Sequence, residues 1–487
     1  MAGIGFQLRK ILEEDKPFAF LKVYCFSALI SSGPWIFSMV TLALLNGMTL
    51  RNLEMSDQTY FRAIVVYAFA CSYIVVGFLV LPVTRCTADK LYERDERGLA
   101  PLFNSAAATL VTFLALTAPI FGMAVGGDVG TRMLSAMIYV TMAFVWLLMV
   151  MLTTLRNHWP IVIAYLAGSF LTAISSYPLG AGYALKGYLA GYLLGHLLIV
   201  VVLSARIFSE FPSRRSIDRE FVWNLSTLWV LALTGTLYHC ALWIDKIVMW
   251  LAPFSSPIGH RLRVAPTYEV PVLLAYLTII PALSLFLVVV ETRFYESYRR
   301  FYAAILEHAP LSVIHLQRVE LGEKVREGLT LIVKYQGFIT AGVILTAYRL
   351  APMLNLPWAC VPLFRIATLG AFLHSLLTVI FIIILYFDFK NLALGIAGLF
   401  FVTQGVFTWV AARAGTEFLG YGYFLSTFTT VMVGYYALEA RFKKLEYLTF
   451  ATQPMARHRE EETFSAAEEL ILSEAENAAE KKDYSIR

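Results

Sequence analysis

Long apolar runs separated by short charged segments dominate the chain. An α-helix needs about 20 mainly apolar residues to cross a bilayer. Twelve such runs can be placed, near 18–45, 61–84, 101–125, 132–155, 159–177 and 184–205, then near 223–252, 268–290, 330–350, 358–386, 392–412 and 420–440. The expected fold class is an all-α membrane protein of about twelve transmembrane helices in two six-helix halves. The expected segments are a 1–17 N-terminal stretch, an 18–205 bundle, a 206–222 linker, a 223–441 bundle carrying a 291–329 loop, and a charged 442–487 tail. Two halves of six suggest an internally duplicated transporter, although no residue-level repeat connects them.

Loop charge sets the orientation. Segments 1–17, 85–100, 206–222 and 291–329 carry three, four, four and six basic residues, whereas the loops of the opposite side hold only Arg51, Arg261, Arg263 and Arg413. Excess Lys and Arg marks the cytoplasmic side, so both termini are expected there, in a bacterial inner membrane. The first seventeen residues are polar and the run after them is too long for a cleaved signal, so that run is expected to remain as the first helix.

Composition agrees. Hydrophobic residues make up 59% of the 487 and charged residues only 15%, against roughly 25% charged in soluble domains. The net charge of +5 is spread over the loops, so no nucleic-acid partner is expected. Cys25, Cys71, Cys86, Cys240 and Cys360 lie in or beside apolar runs without metal-ligand spacing; neither metal nor cofactor is expected.

Enzymatic chemistry has little to rest on. The chain has no phosphate-binding Gly-rich loop ending in Lys-Ser or Lys-Thr, no HExxH and no CxxC. No cytosolic segment is long enough for a nucleotide-sugar-binding domain. Glu54 and Asp57 resemble the acidic site of a lipid-linked glycosyltransferase only in residue type.

Ionisable residues inside apolar runs are more informative, because a mid-bilayer charge costs about 2.5–3.5 kcal/mol and must face protein or water. Asp245, Lys246, Arg365, Glu269 and Lys22 are the transport-path candidates, with His196, His239 and His374 beside them. Lys22, Lys334 and Arg349 also fit snorkelling from helix ends. Asp245 and Lys246 interrupt Leu242–Trp250, an otherwise apolar run. Neighbours on a helix point about 100° apart, so the two are not expected to share a partner easily. A structural ion pair and a transport role both remain open.

Gly187, Gly191 and Gly195 form a small-residue ridge for close helix packing. Pro34, Pro119, Pro271 and Pro281 interrupt apolar runs, and broken helices often line transporter cavities. The 26 Tyr, 35 Phe and 9 Trp are enough to line a sugar path, but an interfacial aromatic belt accounts for such numbers equally.

The N-terminal text, Gly3, Gly5, Phe6 and Arg9 within Met1–Lys10, followed by Gly33-Pro34-Trp35, resembles the family of Pel exopolysaccharide inner-membrane transporters. The stretch Glu291–Tyr295, continuing through Tyr298 and Tyr302 to Ile305, is similar to the same family. That family is related to the flippases of the multidrug/oligosaccharidyl-lipid/polysaccharide (MOP) exporter superfamily. Its relatives often carry an Asp followed by Arg or Lys in helix seven, as Asp245-Lys246 does here.

The resemblance implies export of an N-acetylhexosamine-rich polymer made by a cytosolic Pel glycosyltransferase. It also implies a complex with other Pel inner-membrane subunits, one a cyclic di-GMP receptor. The basic 291–329 loop is then an expected dock for the glycosyltransferase or for anionic membrane lipids. A scaffold without a conducting path, and a lipid-linked oligosaccharide or drug exporter, are the alternatives.

Overall fold

The structure is a computed structural model that describes residues 36–49, 52–152, 159–289 and 294–451. The candidates Lys22, Gly3, Gly5, Phe6, Arg9, Gly33, Pro34 and Trp35 lie outside these residues.

Helices account for nearly all of the described chain. The first-half elements are α1 (Ile36–Thr49), α2 (Met55–Tyr92), α3 (Leu99–Val125), α4 (Val129–Leu152) and α5 (Trp159–Glu210). After a short α6 (Arg219–Asn224) come α7 (Trp229–Trp250), a hairpin of β1 (Ser256–Ile258) and β2 (Leu262–Val264), α8 (Pro266–Leu277), α9 (Ile280–Val289), α10 (Tyr295–Leu306), α11 (Leu311–Met353), α12 (Val361–Tyr386), α13 (Lys390–Ala414), α14 (Tyr421–Lys443) and α15 (Leu445–Ala451).

Eight described helical stretches are long and apolar enough to cross a membrane. One of them, α5, is 52 residues long and reverses at Ala184, whose backbone sits at φ 48° and ψ −128°. Its two arms pack antiparallel: a Cβ on Gly187 would lie 1.8 Å from the Leu179 carbonyl oxygen, and one on Gly195 1.8 Å from the Thr172 hydroxyl. The glycine ridge therefore serves the fold-back itself, and no 178–183 loop separates the arms. With α5 counted as two arms, the shorter apolar α1 and the helices α7 and α14, which fall on the remaining expected runs, bring the described helices that match those runs to about twelve.

Three other boundaries differ from the hydropathy pattern. The 268–290 run is two helices, because Pro281 has no N–H to give the Leu277 carbonyl. The 223–252 run begins at Trp229, and its first residues belong to α6, where the Asp218 carboxylate accepts from the Phe221 N–H at 3.3 Å. Most of the 291–329 segment is helix rather than loop: it comprises α10 and the first half of α11. At 43 residues α11 is about 64 Å long, twice the roughly 30 Å hydrocarbon core. Hydropathy shows only the apolar half of it. The 291–329 segment holds six acidic residues against its six basic ones, so it is not a net basic patch.

The buried core falls into separate bodies. One cluster is built on α1 to α6 and includes Tyr139, Tyr188 and Tyr192. Two more are built on α7 to α15, around Phe301 and Phe400 and around Tyr268 and Tyr423. Between the bodies α2 runs against α7, so closely that a Cβ on Gly235 would lie 2.3 Å from the Gly77 carbonyl oxygen.

Candidate functional site

On α7, alternate faces look in different directions. Gly235, His239, Trp243 and Trp250 turn toward the first lobe, where His239 lies 4.1 Å from the Tyr73 ring and Trp250 stacks at 4.0 Å on Tyr67. Trp146 of α4 joins this seam, edge-on to both Phe69 and Tyr73 at 4.8 Å. Tyr238, Ala241, Asp245 and Met249 instead face the second lobe. Helical periodicity separates the two sets.

Asp245 is fully buried. Its Oδ2 accepts from the Tyr268 hydroxyl at 2.9 Å, and the Lys246 ammonium lies 3.0 Å from Oδ1. Adjacent helical residues thus pair after all. The reach comes from the lysine stem, which curls back so that the ammonium also donates to the Leu242 carbonyl at 3.1 Å. The same ammonium sits 4.8 Å from the Tyr276 ring centroid and 5.7 Å from that of Trp243, a cation held by aromatic faces. Lys246 therefore stands on the edge of the seam, and Asp245 inside the second lobe.

Around the pair is a polar interior. Tyr276 is 5.5 Å from Tyr423 and 5.7 Å from His374, ring to ring. His374 Nδ1, beside Tyr276, is buried without a protein hydrogen-bond partner, as are Gln404 Oε1, Thr408 Oγ1 and Thr340 Oγ1 elsewhere in the second lobe. Burying such atoms is costly, and native cores keep few of them.

The other candidates are placed differently. Glu269 Oε1 accepts from the Ala265 N–H at 2.8 Å and from the Trp250 indole at 2.6 Å. It closes the start of α8 and ties it to the end of α7, a structural engagement. Arg365 is half-buried in the first turns of α12 and forms no ion pair with a carboxylate among the described residues. His196 stacks at 4.1 Å on Tyr192 within the first lobe, away from Asp245. Lys334 and Arg349 are exposed on α11 at either end of its apolar stretch, as snorkelling requires. Tyr268, Tyr276 and Tyr423 were not among the sequence candidates. They come from two distant helices and nothing in their spacing connects them with Asp245.

Similarity to known proteins agrees with this arrangement. The PelG family profile, "Putative exopolysaccharide Exporter (EPS-E)", matches residues 1–450. No curated protein matches the chain. Among solved structures, an outward-facing multidrug resistance MATE family transporter of the MOP superfamily superposes with a TM-score of 0.59 at 14% identity, covering 86% of this chain and 96% of that one. A MOP superfamily transporter from Pyrococcus furiosus gives 0.57 at 13% identity, with 86% and 96% covered. The Vibrio cholerae MATE transporter VcmN gives 0.60 at 11% identity, with 91% and 98% covered. At such identities the likeness is one of fold. The two-lobed bundle is that of the MOP transporters, and the chain belongs to the PelG family of exopolysaccharide exporters.

Proposed function

We propose that this protein moves the Pel exopolysaccharide, an N-acetylhexosamine-rich polymer, from cytoplasm to periplasm through the bacterial inner membrane while a cytosolic glycosyltransferase extends it. The observation that carries the reading is the family match over residues 1–450 on a two-lobed transporter bundle. The polymer runs between the lobes. The aromatic seam of Tyr67, Tyr73, Trp146, Trp243 and Trp250 offers faces on which sugar rings stack. A continuous polymer cannot be enclosed as a compact cargo is, so the path stays occupied during synthesis and chain addition supplies the forward motion. An ion gradient is the second possible drive, and Asp245 is then its proton or ion site.

The chain itself performs no catalysis in this reading. Its partners are the Pel glycosyltransferase and the other Pel inner-membrane subunits, including a cyclic di-GMP receptor, with α10 and the cytoplasmic half of α11 as the docking face. Both termini lie in the cytoplasm. Reconstitution tests the reading: vesicles containing this protein and the synthase, fed nucleotide sugar from outside, are expected to accumulate polymer inside. Polymer left wholly outside shows a scaffold instead. In the same vesicles Asp245→Asn is expected to slow accumulation if a gradient contributes; undiminished export removes Asp245 as a coupling residue.

A further inference from the structure

The β1–β2 hairpin is attached to the second lobe but buried in the first. Its chain leaves α7 and returns into α8. At its base Arg263 donates from Nε to the Ser255 hydroxyl at 2.7 Å and from Nη2 to the Ser255 carbonyl at 3.1 Å, and Ser255 in turn donates to the Trp250 carbonyl at 2.8 Å. The hairpin is thereby fastened to the end of α7. Its apolar residues point the other way. Leu262 and Val264 are 4% and 8% exposed and belong to the core cluster of the first lobe, with Ile258 packed against it.

Three contacts seat it there. The Tyr67 hydroxyl of α2 donates to the Arg263 carbonyl at 2.8 Å. Gly259 turns the hairpin at φ +60°, and the Tyr60 ring lies so close that a Cβ there would meet it at 2.4 Å. His260 sits over Gly126, between α3 and α4, with its Cβ 2.7 Å from where a Gly126 Cβ would be. At the opposite end of the seam the tie is weak: Arg85 and Asp388 pair at 3.5 Å with both side chains about two-fifths exposed, a contact that solvent and salt screen. Between the two ends, Gly77 and Gly235 bring α2 and α7 into backbone contact without bulk.

We propose that this hairpin is a releasable latch: it seals the periplasmic end of the inter-lobe seam at rest, and it leaves the first lobe's core while polymer passes. The proposal rests on the transport reading for its cargo, but the opening of the hairpin can be observed without it. The hairpin is suited to local release, since it is a two-stranded element, marginal by itself, whose apolar anchorage in the first lobe comes from Leu262, Val264 and Ile258 alone among its own residues.

Two experiments decide it, both in the full chain with the five native cysteines replaced by alanine. In the first, Leu262→Cys is compared with Ser135→Cys, a fully buried position of the same lobe, for labelling by an impermeant maleimide. Leu262→Cys is expected to label at least tenfold faster, and faster again during polymer synthesis. Equal rates at rest and during synthesis overturn the latch and make the hairpin a fixed strap. In the second, Gly126→Cys and His260→Cys are joined by oxidation in synthase-containing vesicles. Lumenal polymer is expected to fall at least tenfold and to recover with dithiothreitol. Export at the parental rate by fully cross-linked protein likewise overturns it. If parental vesicles make polymer but hold none inside, the transport reading fails on that result, and the maleimide rates still decide whether the hairpin opens.

Discussion

Asp245 has no contact with solvent and two partners of different kinds, so its neighbours do not contribute independently. Removing the ammonium with Lys246→Met leaves a buried carboxylate paired only with the Tyr268 hydroxyl, and breaking a buried pair this way costs about 3–5 kcal/mol. The double variant Asp245→Asn/Lys246→Met is expected to be more stable than Lys246→Met alone, because it removes the stranded charge. Thermal unfolding of the purified protein in detergent checks the order; additive losses show that the two residues are not coupled. Tyr268→Phe is expected to cost about 1–3 kcal/mol, the penalty for an unsatisfied acceptor in a dry site. Asp245 and Lys246 were legible because charge within an apolar run is rare. Their aromatic surroundings were not, because Tyr268, Tyr276 and Tyr423 read as ordinary residues of apolar helices until tertiary packing brings them together. Glu269 illustrates the reverse: a carboxylate conspicuous in sequence is taken up by a helix start and an indole.

At the scale of the element, the two arms of α5 and the length of α11 make distinct expectations. Gly195→Val puts side-chain atoms where Thr172 and the Gly168 carbonyl already are. Overpacking of this kind costs about 1–3 kcal/mol, and with backbone in the way the upper end is expected. Gly337→Ala on α11 meets nothing within 4 Å and is expected to be neutral or to stabilise by up to about 1 kcal/mol. Comparable losses from both substitutions contradict the fold-back at Ala184. For α11, a cysteine at Leu316 is expected to react with an impermeant maleimide on the cytoplasmic side, whereas one at Phe338 is shielded by lipid. Both side chains are exposed, at 64% and 82%, so only the position of the membrane separates them. Hydropathy located the apolar half of α11 but not its continuation, because a helix that leaves the bilayer exchanges apolar residues for charged ones without changing its backbone. The Lys324–Glu327 pair, three residues apart at 2.9 Å, adds a small local support to the polar half of the helix.

At the scale of the whole molecule, ion pairs outside the membrane also join the elements, and one of them depends on pH. The Lys186 ammonium, 2.6 Å away, and the Thr131 hydroxyl hold the Asp128 carboxyl well below the usual carboxylate range. A depressed carboxylate stabilises the fold above its unfolded pKa of about 3.9 and loses that contribution as pH falls through the folded value. Because both side chains are about half exposed, the effect is small and screened by salt. In unfolding measured across pH, Lys186→Met is therefore expected to be slightly less stable than the parent above about pH 5, and the difference is expected to vanish as pH falls below the unfolded carboxylate pKa. The proposed orientation has its own test: it puts Asp128 and not Ser213 on the periplasmic side, so a phosphatase fused after Asp128 is expected to be active and one fused after Ser213 inactive.

Length, apolar periodicity and loop charge determined by themselves that the chain is a bundle of about twelve membrane helices, because each span must satisfy its own backbone within hydrocarbon. Text near the N-terminus also pointed to the family. Tertiary structure alone decided that α5 folds back on its glycine ridge and that Lys246 pairs with the residue beside it. It also decided that a nine-residue hairpin between α7 and α8, which holds two of the few basic residues on its side, is seated in the opposite lobe. The physical reason is one of range. Hydropathy reports the medium that a segment occupies, whereas each of these features depends on which surface of another segment it meets.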